Sequence, residues 1–250
     1  MTSRIVLVFV LGLVGSGLAA CGGTKILKDP QPIEIVQPLA LAESEDVAAT
    51  LAWVIVRDGP GTWARNADWD EYLIAVTNPT SAPIQVDSIA LVDSLGTRVV
   101  PATDRKALVK GSKQAVRRYR ESGLKVKAGM GGLALAATGA VVWYGVAAPL
   151  ATAALWGGTA ATGVAAMGAV IATPVLAVGG IMRANNNRKV NNEIQRRQTE
   201  LPLTLAPGEA RQITVFFPLT PSPTEIALTH GDARLVMDTS EILKGLHLPD

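Results

Sequence analysis

The chain has 250 residues, of which 48% are apolar, and its formal net charge is +2. A charge this close to zero neither predicts nor excludes a nucleic-acid partner. The sequence contains one cysteine, so an internal disulfide is excluded. When an apolar leader and a long apolar central stretch are set aside, enough chain remains for one modest globular domain.

The first 20 residues have the layout of a signal peptide. Arg4 precedes an apolar run over residues 5–14, and small residues follow it. The run is shorter than a membrane-spanning helix requires. This layout predicts an exported protein, and an ordinary secretory signal with an unrelated cysteine behind it is the alternative.

The cysteine lies directly after this leader. Leu18, Ala19 and Ala20 precede Cys21, and this tetrapeptide resembles the lipobox of bacterial lipoproteins. The resemblance implies cleavage before Cys21, diacylglycerol on its thiol and a further acyl chain, such as palmitate, on its amino group. Gly22 follows instead of an aspartate, which by similarity to enterobacterial sorting favours the outer membrane with the protein facing the periplasm. Whether the membrane is inner or outer stays open.

Residues 21–45 contain Pro30, Pro32 and Pro38 and are predicted to be a lipidated tether. The next segment, residues 46–104, has short runs rich in valine and isoleucine at 47–57, 69–78, 84–93 and 97–100. Turn residues separate these runs at 58–61, 78–79 and 94–96. This pattern predicts the strands of half a β-domain.

Residues 105–198 are predicted to be an insertion that begins and ends with basic helices, at 107–124 and 184–198. We expect these helices to extend into solvent and to form a basic collar at a membrane surface. The cations that define the collar are Arg105, Lys106, Lys110, Lys113, Arg117, Arg118, Arg120, Lys125 and Lys127 on one side and Arg183, Arg188, Lys189, Arg196 and Arg197 on the other.

Between these helices, residues 128–182 carry no charged side chain. The stretch is long enough for two membrane crossings at about 20 residues each. Pro149 and the glycines at 157–158 interrupt it near the middle, so we predict a transmembrane helical hairpin with arms at 128–148 and 159–182. A hairpin buried in protein is the alternative. Trp143, Tyr144 and Trp156 lie near the predicted tip, where aromatic side chains would contact the membrane interface.

Small residues recur every fourth position in both arms, which lets helices approach closely. The pattern resembles glycine-zipper segments of bacterial envelope proteins and implies packing against copies of this chain or a partner's helices. Its members are Gly132, Ala136 and Ala140 in the first arm and Ala161, Ala165 and Ala169 in the second.

The orientation of the hairpin is ambiguous. The positive-inside rule places the basic helices on both sides of the hairpin in the cytoplasm, whereas the lipobox places the domain outside it. We expect the domain to lie outside the cytoplasm, as the lipobox indicates, because a hairpin inserted after export is not subject to the same loop-charge bias.

Strand patterns resume over residues 199–238, at 201–205, 211–217, 225–229 and 233–237, and a C-terminal tail is predicted at 239–250. The fold class predicted is mainly β: an antiparallel β-sandwich interrupted by a long apolar α-helical hairpin. The succession of strand and turn residues resembles that of the immunoglobulin-like, telokin-like sandwiches of envelope lipoproteins. The runs that carry this resemblance are Val76-Thr77-Asn78-Pro79, Ala90-Leu91-Val92-Asp93, Leu205-Ala206-Pro207-Gly208-Glu209 and Phe216-Phe217-Pro218-Leu219.

Few residues are candidates for catalysis or for binding a metal or a cofactor. Asn66, Asp68, Asp70 and Glu71 offer oxygen ligands for Ca²⁺ but lack EF-hand spacing, so a solvated acidic loop is expected. His230 and His247 are expected in a surface turn and in the tail, without a metal. The glycines at 129, 131 and 132 follow no strand, which argues against a dinucleotide site.

No catalytic constellation can be identified, so neither an enzyme nor a cofactor is predicted. The basic run 117–120 is expected to meet lipid headgroups and not nucleic acid. The sequence therefore predicts a membrane-anchored structural or interaction module of the envelope. An oligomeric pore, or the membrane component of an export machine, is the alternative, and the cargo or partner stays open.

Overall fold

The computed structural model describes residues 24–129 and 179–249, apart from residues 28, 31, 34 and 36. In chain order the elements are β1 (Lys25–Ile26), β2 (Ala40–Glu43), β3 (Ala48–Ile55), β4 (Ala64–Arg65), β5 (Trp69–Thr77), β6 (Ile84–Val86), β7 (Ser88–Val92), β8 (Arg98–Val99), α1 (Arg105–Glu121), α2 (Gly179–Arg197), β9 (Leu203–Leu205), β10 (Ala210–Pro218), β11 (Glu225–His230) and β12 (Ala233–Asp238).

Two four-stranded antiparallel sheets form the body of the domain. The first has the order β10-β5-β3-β2 and the second β12-β11-β7-β8. Their side chains meet in one hydrophobic core, which includes Leu51, Ile74 and Phe217 from the first sheet and Leu91 and Leu228 from the second. The prediction of a mainly β, antiparallel fold is confirmed.

Strands from before and after residues 130–178 pair with one another. β5 pairs with β10 over Trp69–Thr77, β7 pairs with β11, and β6 pairs with β9 in a two-stranded ribbon. The two halves of the chain therefore share sheets as well as a core.

The first sheet is buried on both faces, because every residue of β3 and β5 is buried. One face contacts the shared core. The other contacts the two helices through a second cluster, which contains Trp63, Trp69, Leu108, Val190, Ile194 and Phe216. Both faces of a central strand can be apolar when helices cover the sheet.

Helix α1 begins at the N-cap Asp104, whose side chain accepts hydrogen bonds from the backbone N–H groups of Lys106 and Ala107. Its inner face consists of the buried side chains Leu108, Ser112, Ala115 and Tyr119. The expectation that both helices extend into solvent is wrong for their described side chains, because α1 buries this stripe and α2 buries Val190 and Ile194.

Two predicted terminal segments also pack onto the domain. Within the tether predicted over 21–45, β2 is the edge strand of the first sheet and β1 pairs with β4. Within the tail predicted over 239–250, Leu243 and Leu246 are fully buried in the shared core. Both predictions underestimated packing because the apolar residues are too sparse to produce a periodic signal.

The predicted hairpin over 128–182 lies outside the described residues, except at 128–129 and for the backbone of 179–182. Among the helices that the structure describes, none is long and apolar enough to cross a membrane.

Candidate functional site

One face of helix α1 is a row of exposed cations. Its members, called the basic face below, are Lys106, Lys110, Lys113, Arg117 and Arg120. Their spacings of four, three, four and three residues keep them on one side of a helix that turns about 100° per residue. The buried stripe of α1 follows the same spacing, and its mean direction is nearly opposite. The fold therefore directs the basic face away from the domain.

Polar contacts hold the inner face of α1 on the first sheet. The Ser112 hydroxyl oxygen accepts a hydrogen bond from the Leu219 backbone N–H at 2.8 Å and contacts the Asp68 carbonyl oxygen. The Tyr119 hydroxyl lies 2.9 Å from the Pro221 carbonyl oxygen and 2.8 Å from the Ser94 hydroxyl. These contacts lie about two helical turns apart along the buried stripe, so they fix the direction of the basic face.

A glycine allows this close approach. At Gly111 an added Cβ would lie 2.6 Å from Cγ of Pro218, so no larger side chain fits without displacing the helix. Glycine is therefore required where the Pro218 ring packs this closely against the helix.

The segment that leads to residue 130 is attached to the domain by His247. The Lys127 backbone N–H donates to the His247 carbonyl oxygen at 2.8 Å, and the Gly129 N–H donates to His247 Nδ1 at 3.2 Å. Gly129 has φ +115°, and a Cβ there would lie 3.1 Å from the Arg57 carbonyl oxygen. Glycine suits both the conformation and the contact.

The other ring nitrogen of His247 contacts a buried carboxylate. Nε2 lies 2.7 Å from Oδ2 of Asp70, and both side chains are 1% exposed. Because Nδ1 accepts from Gly129, the proton belongs on Nε2, which donates it to Asp70. Neither nitrogen is left to move a proton, so this pair acts as a latch between β5, the C-terminal segment and residues 127–129.

Asp70 and its neighbour Glu71 lie on opposite faces of β5, since successive side chains of a strand alternate. Glu71 accepts from Trp63 Nε1–H at 2.6 Å and lies 3.5 Å from Arg197, whose Nε donates to Glu193 at 2.7 Å. The expected solvated acidic loop is therefore wrong for Asp70 and Glu71, which have buried partners. In the same loop, Asp68 and Asn66 accept from Arg57.

Burial raises the pKa of Glu71 above its usual 4.5, although Arg197 and Trp63 act in the opposite direction. The folded state then holds this proton to a higher pH than the unfolded chain does. Glu71 consequently favours folding most below pH 4.5, and the free energy of unfolding decreases as pH rises through the raised pKa.

Glu71→Gln should remove this pH dependence. We expect the stability of the variant, relative to the wild type, to increase from pH 4.5 towards neutrality. Urea unfolding of the full-length protein in non-ionic detergent, followed by tryptophan fluorescence, measures it. The exposed Glu45→Gln is the control. A stability difference for Glu71→Gln that is the same at every pH would contradict this role.

The predicted site residues fall into three groups. Lys125 and Lys127 are exposed and continue the positive charge beyond α1. Arg183 lies in α2, where the structure describes its backbone only. The lipidation and cleavage residues, the small-residue rows and the three aromatic residues lie outside the described part: Leu18, Ala19, Ala20, Cys21, Gly132, Ala136, Ala140, Trp143, Tyr144, Trp156, Ala161, Ala165 and Ala169.

Sequence reasoning missed the latch and the polar contacts of Ser112. Asp70 and His247 are 177 positions apart, so no local pattern joins them. The spacing of Leu108, Ser112, Ala115 and Tyr119 was the available signal for a docked helix.

In the described ranges 24–129 and 179–249, no three histidine, cysteine or carboxylate side chains are arranged to hold a metal ion. No family model, curated protein or solved structure matches the chain.

Proposed function

We propose that the chain is a non-enzymatic lipoprotein of the bacterial envelope, anchored by acyl chains on Cys21 and placed at the periplasmic side of the outer membrane. Its β-domain is held against the membrane surface by the basic face of α1. The observation that carries this proposal is the opposition of the two stripes of α1, because the stripe docked on the sheet directs five cations outward.

The electrostatics favour this arrangement. A cation near an anionic membrane surface contributes about 1 kcal/mol of attraction, which falls off within a Debye length. Only one acidic side chain of α1, Glu121, lies near the basic face, and it pairs with Arg117 at 2.8 Å while both remain exposed. An exposed pair of this kind leaves the field of the row largely intact.

We further propose that the β-domain is an immunoglobulin-like sandwich with an apolar hairpin inserted over 128–182. Two four-stranded sheets around one core support the sandwich. The latch at Gly129 and the packing of α2 support the insertion, because they attach the described chain to the domain on both sides of residues 130–178. The small-residue rows of such a hairpin would then contact copies of this chain or a partner's helices.

The position of the basic face can be measured by lipid quenching. In anionic vesicles containing the full-length acylated protein, we expect a fluorophore on Lys110→Cys to be quenched strongly by a nitroxide on the lipid headgroup. A fluorophore on Val236→Cys, an exposed position in the second sheet, should be quenched weakly. Equal quenching, or stronger quenching at position 236, would show that another face of the domain contacts the membrane.

A further inference from the structure

A cleft of about 320 Å³ lies along one side of helix α1. Its walls come from α1, from Asp68 before β5, from Leu219 after β10 and from Ala128. This volume is near the lower end of the range of about 300–1,000 Å³ for small-molecule sites. The cleft is therefore large enough for a small polar group with a short apolar attachment.

Cations form the outer rim of the cleft. Lys113, Arg117 and Arg120 line it and belong to the basic face. Among the residues that the structure describes, Lys113 and Arg120 form no ion pair, while Arg117 pairs with Glu121. The carboxylate that lines the cleft, Asp68, lies 3.3 Å from Arg57 and is therefore compensated. The rim accordingly favours an anion, and guanidinium and ammonium groups bind phosphate well.

The floor of the cleft is apolar. It consists of Val109 and Val116, which lie about two helical turns apart along α1, and of the buried Leu219. Apolar surface beside a cationic rim matches a ligand that has an anionic group at one end and hydrocarbon at the other. A free inorganic anion would leave this floor unused.

We propose that the cleft binds the headgroup of one anionic phospholipid, with its phosphate between Lys113 and Arg120 and its first acyl methylenes against Val109 and Val116. This inference rests on the proposed function, because it requires the basic face to meet a membrane. The position of the cleft agrees with that requirement: Ala128, at its edge, is the first residue of the uncharged stretch.

The test is native mass spectrometry of the full-length protein in non-ionic detergent, titrated with phosphatidylglycerol, with phosphatidylcholine or with glycerol phosphate. We expect one phosphatidylglycerol to bind more tightly than phosphatidylcholine. The double variant Lys113→Ala/Arg120→Ala should weaken phosphatidylglycerol binding by about 10- to 100-fold, since charge-assisted contacts are lost.

A matched control removes the same charge from the same helix. Lys106 and Lys110 belong to the basic face but do not line the cleft. Lys106→Ala/Lys110→Ala should therefore change phosphatidylglycerol binding by less than about threefold. Equal losses in the two double variants would overturn the cleft and indicate diffuse surface charge.

A further variant separates the two possible sources of the phosphate. Val116→Asn should weaken phosphatidylglycerol and leave glycerol phosphate unchanged. If glycerol phosphate binds as tightly as the lipid and Val116→Asn changes neither, a free phosphate ester is the ligand and the lipid assignment fails.

The outcomes also separate this inference from the proposed function. If Cys21 is acylated but Lys113→Ala/Arg120→Ala weakens phosphatidylglycerol binding no more than Lys106→Ala/Lys110→Ala does, the cleft alone is overturned. If Cys21 is not acylated but the two double variants differ as expected, the lipoprotein alone is contradicted.

Discussion

His247→Ala is expected to lower the free energy of unfolding by about 3–5 kcal/mol, because it leaves the buried Asp70 carboxylate without its hydrogen-bond donor. Asp70 is 1% exposed and lies 2.7 Å from His247 Nε2. The Gly129 N–H, which donates to Nδ1, loses its acceptor in the same variant. Urea unfolding of the full-length protein in non-ionic detergent measures the effect.

The other histidine provides the control. His230 ends β11 beside a turn and is partly exposed, so His230→Ala should change stability by no more than about 0.5 kcal/mol. If His247→Ala were as mild as His230→Ala, the buried pair would not be the latch described above. Increased proteolysis near residues 125–129 in His247→Ala would further support the latch, because the Lys127 and Gly129 contacts both involve His247.

Cys21→Ala is expected to remove nearly all of the protein from the outer-membrane fraction. Stable attachment through lipid needs more than one signal, and the acyl chains supply the strongest part of the proposed anchor. The basic face and the proposed hairpin are unaltered in sequence in this variant, so we expect it to stay associated with another membrane fraction. Density-gradient fractionation with immunoblotting of wild type and variant measures the change.

A control variant and a carbonate extraction separate the contributions to this anchor. Ser16→Ala keeps the cysteine and the residues of the lipobox, and it should fractionate as the wild type does. The result that would contradict the inserted hairpin is release of exported Cys21→Ala protein by alkaline carbonate. An unchanged outer-membrane fraction for Cys21→Ala would contradict anchoring by its acyl chains.

The strands could be predicted because turn-forming residues mark their ends in the sequence. Asp58-Gly59-Pro60 and Asn78-Pro79 end two β-branched runs, and each segment predicted as a strand contains one in the structure. The helices at 107–124 and 184–198 were also predicted close to their observed positions. Backbone preferences and turn-forming residues act over only a few positions, so they can be recognised in a single sequence.

The surroundings of the helices could not be predicted in the same way. The inner face of α1 combines Leu108 and Tyr119 with Ser112 and Ala115, so its buried stripe is only partly apolar. The many cations of the opposite face dominate its composition. A helix of this composition was interpreted as solvated, whereas Ser112 is buried through polar contacts supplied by Asp68 and Leu219.

The contacts of the buried carboxylates were the hardest part of the site to predict from the sequence, because their partners are distant in the chain. Asp70 and Glu71 are adjacent carboxylates, and adjacent carboxylates usually indicate an exposed loop. Here they alternate across a strand that is buried on both faces, and each has a basic or donor partner from another part of the chain. Compensation of this kind is decided by tertiary packing and not by local composition.

Metabolic labelling with radioactive palmitate detects the acyl chains proposed on Cys21. We expect label on the wild type and on Ser16→Ala, and none on Cys21→Ala, the variant of the chain's one cysteine. Label that persists on Cys21→Ala, or a wild-type protein without label, would contradict acylation at Cys21.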